Sequence, residues 1–410
     1  MTHDRHHVYC FVVGLRYKDD NAPPSPSGTL TVVSEIIKNW GREETIFVLC
    51  NNNYTKRSFL EINGQRENVT VEVYQQETVQ DKLARLYGSG KRGMALIKAG
   101  YIILTAPVIT LQAMLGLRRY FIDRAVSVVY SHNGGYPDRS LNLLSILAAR
   151  TARIGKAHLI LHNMPTPIGF RNYPYAYFLD HVVGLAATNI VSVSKACASV
   201  HEKTRHFGVQ IKHIYNGLSI RQNIERASDS ERPEWWGDRP VIMFLGSLQP
   251  RKGLHILIRA MAQMKIDATL VVYGSGDEEY TRFLKEQAAD LSIGDRVRFQ
   301  GYDENAAFKL HYADVLVLPS IQYESFGMVI LEAMLRRKPV VCSDYGGMKE
   351  VVQDGVTGIV TPAGHPKSIA DALDKILGNK EQAHKMGEAG YHRLLEKFDI
   401  AQTVRAYKAL

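Results

Sequence analysis

The chain contains 410 residues, of which 45% are hydrophobic and 22% charged, and its formal net charge is +9. This composition excludes a disordered chain, and the length suits two domains of about 200 residues each. The excess of basic residues favours an anionic partner, such as a nucleotide, a nucleic acid or an acidic membrane surface, although a soluble enzyme that is simply basic fits equally well.

Short, β-branched apolar runs alternate with helical patterns along the whole chain, as in βαβ units with parallel sheets. We predict seven strands in the first half, at 8–13, 45–50, 69–73, 126–130, 158–161, 189–193 and 212–215. Six follow in the second half, at 241–245, 268–273, 297–300, 315–319, 339–342 and 358–360. The runs are continuously apolar, which is typical of strands buried on both faces.

A polar segment between the two halves predicts a domain boundary. We expect an N-terminal Rossmann-like domain at 1–220, a linker at 221–239 and a C-terminal Rossmann-like domain at 240–383, while residues 384–410 have a helical pattern with no strand after it. The predicted fold class is therefore α/β, with two parallel sheets facing each other across a cleft. Ligands of such sheets bind at the carboxyl ends of the strands, so functional residues are sought in the loops that follow strands.

One uncharged stretch, Ala99–Leu117, has Lys98 before it and Arg118 and Arg119 after it. Its length meets that of a membrane span, but Pro107 and several polar residues weaken this interpretation, and two basic flanks give no orientation signal. A buried helix is the interpretation we favour. A membrane-surface element with basic edges and a true span stay open as alternatives.

The cysteines and the N-terminus favour a cytoplasmic protein, with the inner face of the membrane as an alternative location. None of the four cysteines has zinc-ligand spacing to another, so we expect buried free thiols in a reducing compartment. Polar residues at His3–His7 precede a short strand-like run, and we therefore expect no signal peptide.

Two glutamates eight residues apart, Glu324 and Glu332, surround a predicted helix start after strand 315–319. We expect the helix to begin near Phe326, with Ser325 as its cap, so that free amides at its start favour an anion. Those amides belong to Phe326, Gly327, Met328 and Val329. Glu332 is expected about two turns into the helix, within reach of hydroxyl groups beside that anion. The alternative is a capped surface helix with two solvated glutamates.

A glycine-bearing turn follows strand 241–245, where Gly246 and Ser247 come first and Arg251 and Lys252 stand at its rim. Two fixed cations can neutralise a diphosphate without a metal, and arginine adds a fork of donors. The alternative is a basic pair on the surface.

Three more candidates lie in loops after predicted strands. Gly301 and Tyr302 follow strand 297–300 and suit a nucleobase, while Gly28 lies where amides could reach a phosphate or an acceptor. His132 follows strand 126–130 and is a candidate for the cleft, although a lone histidine after a strand is more often structural. The chain has no Asp-x-Asp pair at a strand end, no His-Glu-x-x-His and no P-loop, so we expect neither a metal nor a cofactor.

Together these residues resemble the large family-four (group 1) retaining glycosyltransferases with the GT-B fold, over nearly the whole chain. Gly246-Ser247-Leu248 with Arg251-Lys252-Gly253 is similar to the phosphate loop of that family, and Glu324 through Glu332 to its glutamate-seven-glutamate motif. Asn216-Gly217-Leu218 resembles the Asn-Gly that closes the first domain. Two positions depart from the pattern: Ser247 stands where many relatives have arginine, and Ser27-Gly28 replaces an early Gly-Gly.

The resemblance implies a metal-independent hexosyltransferase that uses a nucleoside diphosphate sugar and retains the anomeric configuration. The acceptor implied is a glycan or a lipid-linked glycan, in cell-surface polysaccharide biosynthesis, with peripheral membrane association as an option. Glu332 would bind ribose hydroxyls, and Glu324, with the amides of Phe326 and Gly327, would hold the donor sugar. Arg251 and Lys252 would stabilise the leaving diphosphate, and His132 would lie near the donor sugar. The helical segment 384–410 would cross back onto the N-terminal domain.

Other functions stay open at this point. Another GT-B enzyme, such as a nucleotide-sugar epimerase or a phosphorylase, is the nearest alternative, followed by a non-catalytic subunit that binds a nucleotide sugar. A nucleic-acid partner is not expected, because basic and aromatic residues are not interleaved.

Overall fold

The structure is a computed structural model that describes residues 7–14, 28–74, 95–134, 136, 141–165, 173–220 and 236–410. The chain divides into two compact units. The first unit consists of Met1–Ile214 together with Val404–Leu410, and the second is Tyr215–Thr403. Each unit is an α/β layer structure around one parallel sheet, which confirms the predicted fold class.

The first unit contains a seven-stranded sheet in the order β3-β2-β1-β4-β5-β6-β7. Its strands are β1 (Val8–Gly14), β2 (Thr45–Cys50), β3 (Val69–Val73), β4 (Val128–Asn133), β5 (Lys156–Leu161), β6 (Asn189–Ser192) and β7 (Lys212–His213). Its helices are α1 (Gly28–Lys38), α2 (Asn53–Asn63), α3 (Ala95–Asp123), α4 (Leu141–Thr151), α5 (Tyr173–Ala186) and α6 (Lys195–Thr204). The strand order reverses between β1 and β4, which makes their carboxyl ends the switch point of this sheet.

The second unit contains a six-stranded sheet in the order β10-β9-β8-β11-β12-β13. Its strands are β8 (Val241–Leu245), β9 (Thr269–Tyr273), β10 (Val297–Gly301), β11 (Val315–Leu318), β12 (Val340–Ser343) and β13 (Gly358–Thr361). Its helices are α7 (Leu254–Met261), α8 (Glu278–Asp290), α9 (Ala306–Lys309), α10 (Met328–Leu335), α11 (Met348–Val351), α12 (Pro366–Leu377) and α13 (Lys380–Lys397). The last helix, α14 (Ile400–Lys408), begins in this unit and ends in the first. Here the switch point lies between β8 and β11.

The central strands are buried at every position, because helices cover both faces of each sheet. All residues of β8, β9 and β11 are buried, as are those of β4. This burial explains why the sequence shows continuous apolar runs there, and all thirteen predicted strands are found. The end of β4 differs from the prediction. The strand continues to Asn133, so the polar residues expected to follow it, including His132, lie inside the strand.

Helix α3 contains the uncharged stretch Ala99–Leu117, for which the sequence leaves a buried helix, a membrane-surface element and a membrane span as interpretations. One face, with Ala113, Leu117 and Phe121, is buried in the same core cluster as α4. The opposite face exposes about half of several aliphatic side chains. Among the described residues, no helix combines the length and the apolar character that crossing a bilayer requires.

The observed units differ from the expected domain limits at both ends. The second unit begins at Tyr215, and residues up to Thr403 belong to it. Residues 384–397 therefore do not return to the first unit, because α13 packs against α10 and α12. The first half of the expected linker, up to residue 235, lies outside the described residues.

Candidate functional site

Two loops meet at the switch point of the second unit, one after β8 and one after β11. The amide of Ile321 donates to the carbonyl of Arg251 at 2.8 Å. Gly253 has φ of +72°, and a Cβ placed on it would lie 2.0 Å from the carbonyl oxygen of Pro319. Only glycine combines this conformation with so close a backbone approach, and the two loops therefore pack directly on each other.

A lysine and a glutamate from these loops form an ion pair. Lys252 Nζ lies 2.6 Å from Glu324 Oε2, and the Ser320 hydroxyl donates to the same oxygen at 3.1 Å. Both charged side chains are largely buried, with exposed fractions of 15% and 11%. Two candidate residues that are 72 residues apart in sequence are thus brought together. Neither their pairing nor the contact with Ser320 is predicted from the sequence.

Arg251 stands at the more open side of the same turn. Its Nε donates to Gln249 Oε1 at 2.8 Å, and its Nη1 lies 3.5 Å from the carbonyl oxygen of Tyr323. The guanidinium is partly exposed and so can turn toward a ligand. Two cations therefore stand at the carboxyl ends of β8 and β11, as the spacing of Arg251 and Lys252 predicts.

Helix α10 starts beside this pair, later than expected. It begins at Met328, and its cap residue is Gly327 with φ of +90° and no capping side chain. The expected start near Phe326 and the expected cap at Ser325 are therefore both wrong. No acidic residue lies in the first turn, so the first amides, those of Met328 and Val329, favour an anion.

Glu332 lies in the fifth position of α10 and is partly buried. It is little more than one turn into the helix, because the helix starts two residues later than predicted. Its backbone carbonyl accepts a hydrogen bond from Arg336 Nη1 at 3.0 Å. This contact holds the guanidinium of Arg336, the C-cap residue, against the last turn of α10.

Glycines line the ends of the three strands on the other side of the switch point. The amide of Gly246 donates to Tyr273 O at 3.0 Å, and that of Gly274 donates to Gly301 O at 2.7 Å. A Cβ on Gly274 would lie 1.9 Å from the carbonyl oxygen of Gly246, so a side chain there would push the loops apart. At Gly301 nothing lies within 4 Å of the Cβ position, so the backbone is open at this end of the edge, where the half-exposed Tyr302 follows. Ser247 lies between the glycine edge and the turn that carries Lys252.

The candidate histidine of the first unit is inside β4 and fully buried, not in a loop after the strand. His132 Nδ1 lies 2.8 Å from His162 Nε2, and the ring stacks on Phe11 and on Tyr407. Burial, and secondarily the neighbouring His162, hold the pKa of His132 well below 6.5, so its ring is neutral. Its Nε2 is buried and has no hydrogen-bond partner within the described part of the chain.

Gly28 is the first residue of α1 and is exposed. The next side chain, Thr29, has its Oγ1 3.3 Å from the point where a Cβ on Gly134 would stand. The start of α1 therefore lies beside the loop after β4, at the switch point of the first sheet. The expected loop before it, up to Ser27, falls outside the described residues.

No metal-binding group is found where the chain is described: no three His, Cys, Asp or Glu side chains there are grouped closely enough to hold an ion. At the switch point of the second unit, the charged side chains of Arg251, Lys252 and Glu324 lie on two loops that pack together. This arrangement presents fixed positive charge and helix amides to an anion, which is the chemistry that a diphosphate requires.

Comparison with known proteins relates most of the second unit to a known family. Residues 225–393 match the sequence profile of the glycosyl transferases group 1. The chain is 36% identical over 180 residues to an uncharacterized glycosyltransferase of Methanocaldococcus jannaschii, covering 42% of this chain and 45% of that protein. It is 28% identical over 270 residues to the GDP-mannose-dependent alpha-(1-6)-phosphatidylinositol monomannoside mannosyltransferase of Mycolicibacterium smegmatis, covering 62% of this chain and 70% of that protein. The chain thus spans less than half of the first relative.

The fold is shared over almost the full length with a solved structure. Anabaena HepE in complex with UDP has a TM-score of 0.70 to this chain at 19% identity, with 98% of each chain covered. The two parallel-sheet units described above are those of the GT-B architecture. The chain therefore has the GT-B fold, and its residues 225–393 are similar to the group 1 glycosyltransferases.

Proposed function

We propose that this protein is a metal-independent, retaining glycosyltransferase. It transfers a hexosyl-type sugar from a nucleoside diphosphate sugar to a glycan or a lipid-linked glycan in cell-surface polysaccharide biosynthesis. The observation that carries the proposal is the convergence of Arg251, Lys252, Glu324 and the start of α10 at one switch point.

Cleavage of the bond between sugar and diphosphate places negative charge on the departing oxygen. Lys252 and Arg251 supply fixed positive charge at the strand ends, and the first amides of α10 supply aligned dipoles. Because these groups are already in place, little reorganisation is needed as the charge develops. In other transferases a divalent ion neutralises the diphosphate. In this protein Arg251 and Lys252 would neutralise the diphosphate instead of a metal ion.

The remaining donor contacts follow from the same geometry and from the family resemblance. Glu332, on the first turns of α10, binds ribose hydroxyls next to the diphosphate. Glu324, held by Lys252 and Ser320, accepts hydrogen bonds from hydroxyls of the donor sugar. The open glycine edge at Gly246 and Gly301, with Tyr302, receives the flat base. The roles of His132 and Gly28 in the first unit stay predictions.

The donor nucleotide and the acceptor are suggested by the relatives. The mycobacterial relative is named for GDP-mannose and for a phosphatidylinositol mannoside, whereas the HepE structure contains UDP. Both nucleotides are therefore candidates for this chain. A lipid-linked acceptor would place the enzyme at the inner face of the membrane.

The test is a donor screen followed by one substitution. The full-length protein is incubated with labelled UDP- and GDP-sugars, and release of nucleotide and transfer of label are measured. With the best donor, Lys252→Ala should lower kcat by about 100-fold, since removal of one such charge-stabilising donor typically costs about 3 kcal/mol. The anomeric configuration of the product, read by NMR, tests retention.

A matched control is available in the first unit. Lys408 forms a similar lysine–glutamate pair, with its Nζ 2.8 Å from Glu44, so Lys408→Ala removes an ion pair but should keep kcat. Near-normal kcat in Lys252→Ala, or an equal loss in both variants, contradicts the diphosphate role. Conversion of the donor to an isomeric nucleotide sugar without acceptor would identify an epimerase instead. Full activity after chelation and dialysis is expected, and an absolute need for a divalent ion contradicts metal independence.

A further inference from the structure

Helix α3 of the first unit has two apolar faces, only one of which is used by the fold. Ala113, Leu117 and Phe121 point into the core, where α3 packs against α4. Four aliphatic side chains on the other side are exposed to 54%, 52%, 51% and 49%, and these are Val108, Leu111, Leu115 and Ile122. Their spacing of three, four and seven residues puts them in one line along the helix. We call this line the α3 stripe.

The α3 stripe has a positive border. Arg118 and Arg119 are exposed and lie between Leu115 and Ile122 in sequence, one on each side of the line. Asp123 is the acidic residue that α3 contains, and it is paired with Arg119 at 3.6 Å. The stripe is therefore an apolar strip with cationic edges, which is the composition of helices that lie in the surface of an anionic membrane.

A neighbouring helix adds exposed apolar surface of the same kind. Helix α5 packs against α4, as α3 does, and residues of all three helices share one core cluster. Phe178 and Leu185 of α5 are exposed to 66% and 80% and are seven residues apart, so they lie on one side of that helix. Solvent-facing aromatic and leucine side chains on two helices of one layer are unusual for a surface that stays in water.

The exposed area argues for a membrane rather than a second copy of the chain. The four side chains of the α3 stripe together with Phe178 and Leu185 present roughly 600 Å², which is less than the about 800 Å² that each partner of a standard protein–protein interface buries. Insertion into a lipid surface needs no matching partner, and a few leucines together with arginines suffice for reversible binding. The net charge of +9 adds attraction to anionic lipid.

We propose that the α3 stripe, assisted by Phe178 and Leu185, is a docking surface for an anionic membrane. Its aliphatic side chains enter the boundary between headgroups and acyl chains, and Arg118 and Arg119 contact the lipid phosphates. This proposal rests on the proposed function in one respect only, namely that a lipid-linked acceptor explains why the enzyme would bind a membrane. The binding itself needs no donor turnover.

The experiment is flotation of the full-length protein with vesicles. One set contains phosphatidylcholine alone, and the other contains in addition about one third phosphatidylglycerol, with both kept at low salt. We expect flotation with the anionic set, a several-fold weaker effect with the neutral set, and loss of flotation in high salt. Leu111→Gln/Leu115→Gln should lower the partition coefficient at least about tenfold, and Arg118→Gln should lower it about fivefold on anionic vesicles alone.

The control removes the same number of exposed apolar side chains elsewhere. Phe283→Gln/Leu395→Gln alters helices of the second unit at positions exposed to a similar degree and should float like the wild type. Failure of the wild type to float with anionic vesicles, or equal flotation of the stripe variant, overturns the proposal. Dissociation of a dimer by the stripe variant with unchanged flotation also overturns it and identifies a second copy as the occupant. Nucleotide release, measured in parallel without vesicles, reports on the proposed function separately.

Discussion

Replacement of Gly253 by alanine tests how the two loops of the candidate site are held together. Gly253 has φ of +72°, a conformation that costs an alanine about 1–2 kcal/mol. The new Cβ would also stand 2.0 Å from Pro319 O, and relieving such an overlap in a packed region costs about 1–3 kcal/mol more. Gly355 is the matched control, since its φ is +73° and nothing lies within 4 Å of its Cβ position.

The expected difference between the two variants is therefore the overlap alone. In urea unfolding of the full chain, followed by circular dichroism, Gly253→Ala should lose about 1–3 kcal/mol more stability than Gly355→Ala. Turnover of the donor should fall in the first variant and persist in the second, because the turn that carries Lys252 must move. Equal loss of stability in both variants would refute the close packing of the β8 and β11 loops.

Three further predictions concern the donor, a buried ion pair and a buried histidine. Glu332→Ala should raise the KM for the donor at least about tenfold with a smaller change in kcat, as measured by initial rates, because a binding contact is lost. Asp180→Ala should cost about 3–5 kcal/mol in urea unfolding, because it leaves the fully buried Arg205, 2.5 Å away, without its partner carboxylate. Burial, with the charges of nearby lysines, lowers the pKa of His158 to about 4 from 6.5. The stability that the neutral ring contributes is fully present above about pH 6.5. It falls by up to about 3 kcal/mol as the pH drops to about 4, because the unfolded chain then binds a proton that the folded chain does not. His158→Phe should therefore make the unfolding free energy depend less on pH over that range.

Each of these has an outcome that speaks against it. An unchanged KM in Glu332→Ala removes the ribose contact from the proposed site. For the ion pair, Asp180→Leu/Arg205→Leu should be more stable than Asp180→Ala, and the reverse order would mean that the charge itself is not the cause. For the histidine, a pH dependence in His158→Phe as steep as in the wild type would assign the effect to other groups.

The sheet strands could be predicted from sequence because burial on both faces leaves a continuous apolar run. The end of β4 could not. Ser131, His132 and Asn133 are polar, a pattern that predicts a loop after the strand, yet they complete β4. Part of their polarity is met from α4, where Asn142 Nδ2 donates to the backbone carbonyl of His132 at 2.8 Å and Ser131 Oγ donates to the carbonyl of Asn142 at 2.8 Å. Such compensation comes from a neighbouring element, so a pattern along one strand cannot show it.

The candidate site was predictable in its residues but not in its contacts. Lys252 and Glu324 were each recognised from the strand before them and the helix after them. Their pairing depends on β8 and β11 being neighbours, which is a property of strand order and not of either segment. The start of α10 was misplaced because Ser325 is a common cap residue, whereas the chain turns through Gly327 in a left-handed conformation before the helix begins.

The exposure of the two faces of helix α3 could not be predicted from the sequence either. The absence of charge from Ala99 to Leu117 favours a buried helix, and the structure has a helix there that is buried on one face and half exposed on the other. The sequence could not distinguish its two faces, because residues on both sides are apolar. Only the packing against α4 separates Leu117, which is buried, from Leu115, which is half exposed.

The last seven residues, Val404–Leu410, have a consequence for how the chain is made. Tyr407 is buried in the first unit, where its ring stacks on His132 and its carbonyl accepts from the Tyr130 hydroxyl at 2.8 Å. A ribosome therefore completes the whole of Tyr215–Thr403 before the first unit receives its final core residue. The later-encoded unit can finish folding first, and a fragment cut after Ile214 would carry a cavity over its histidine pair.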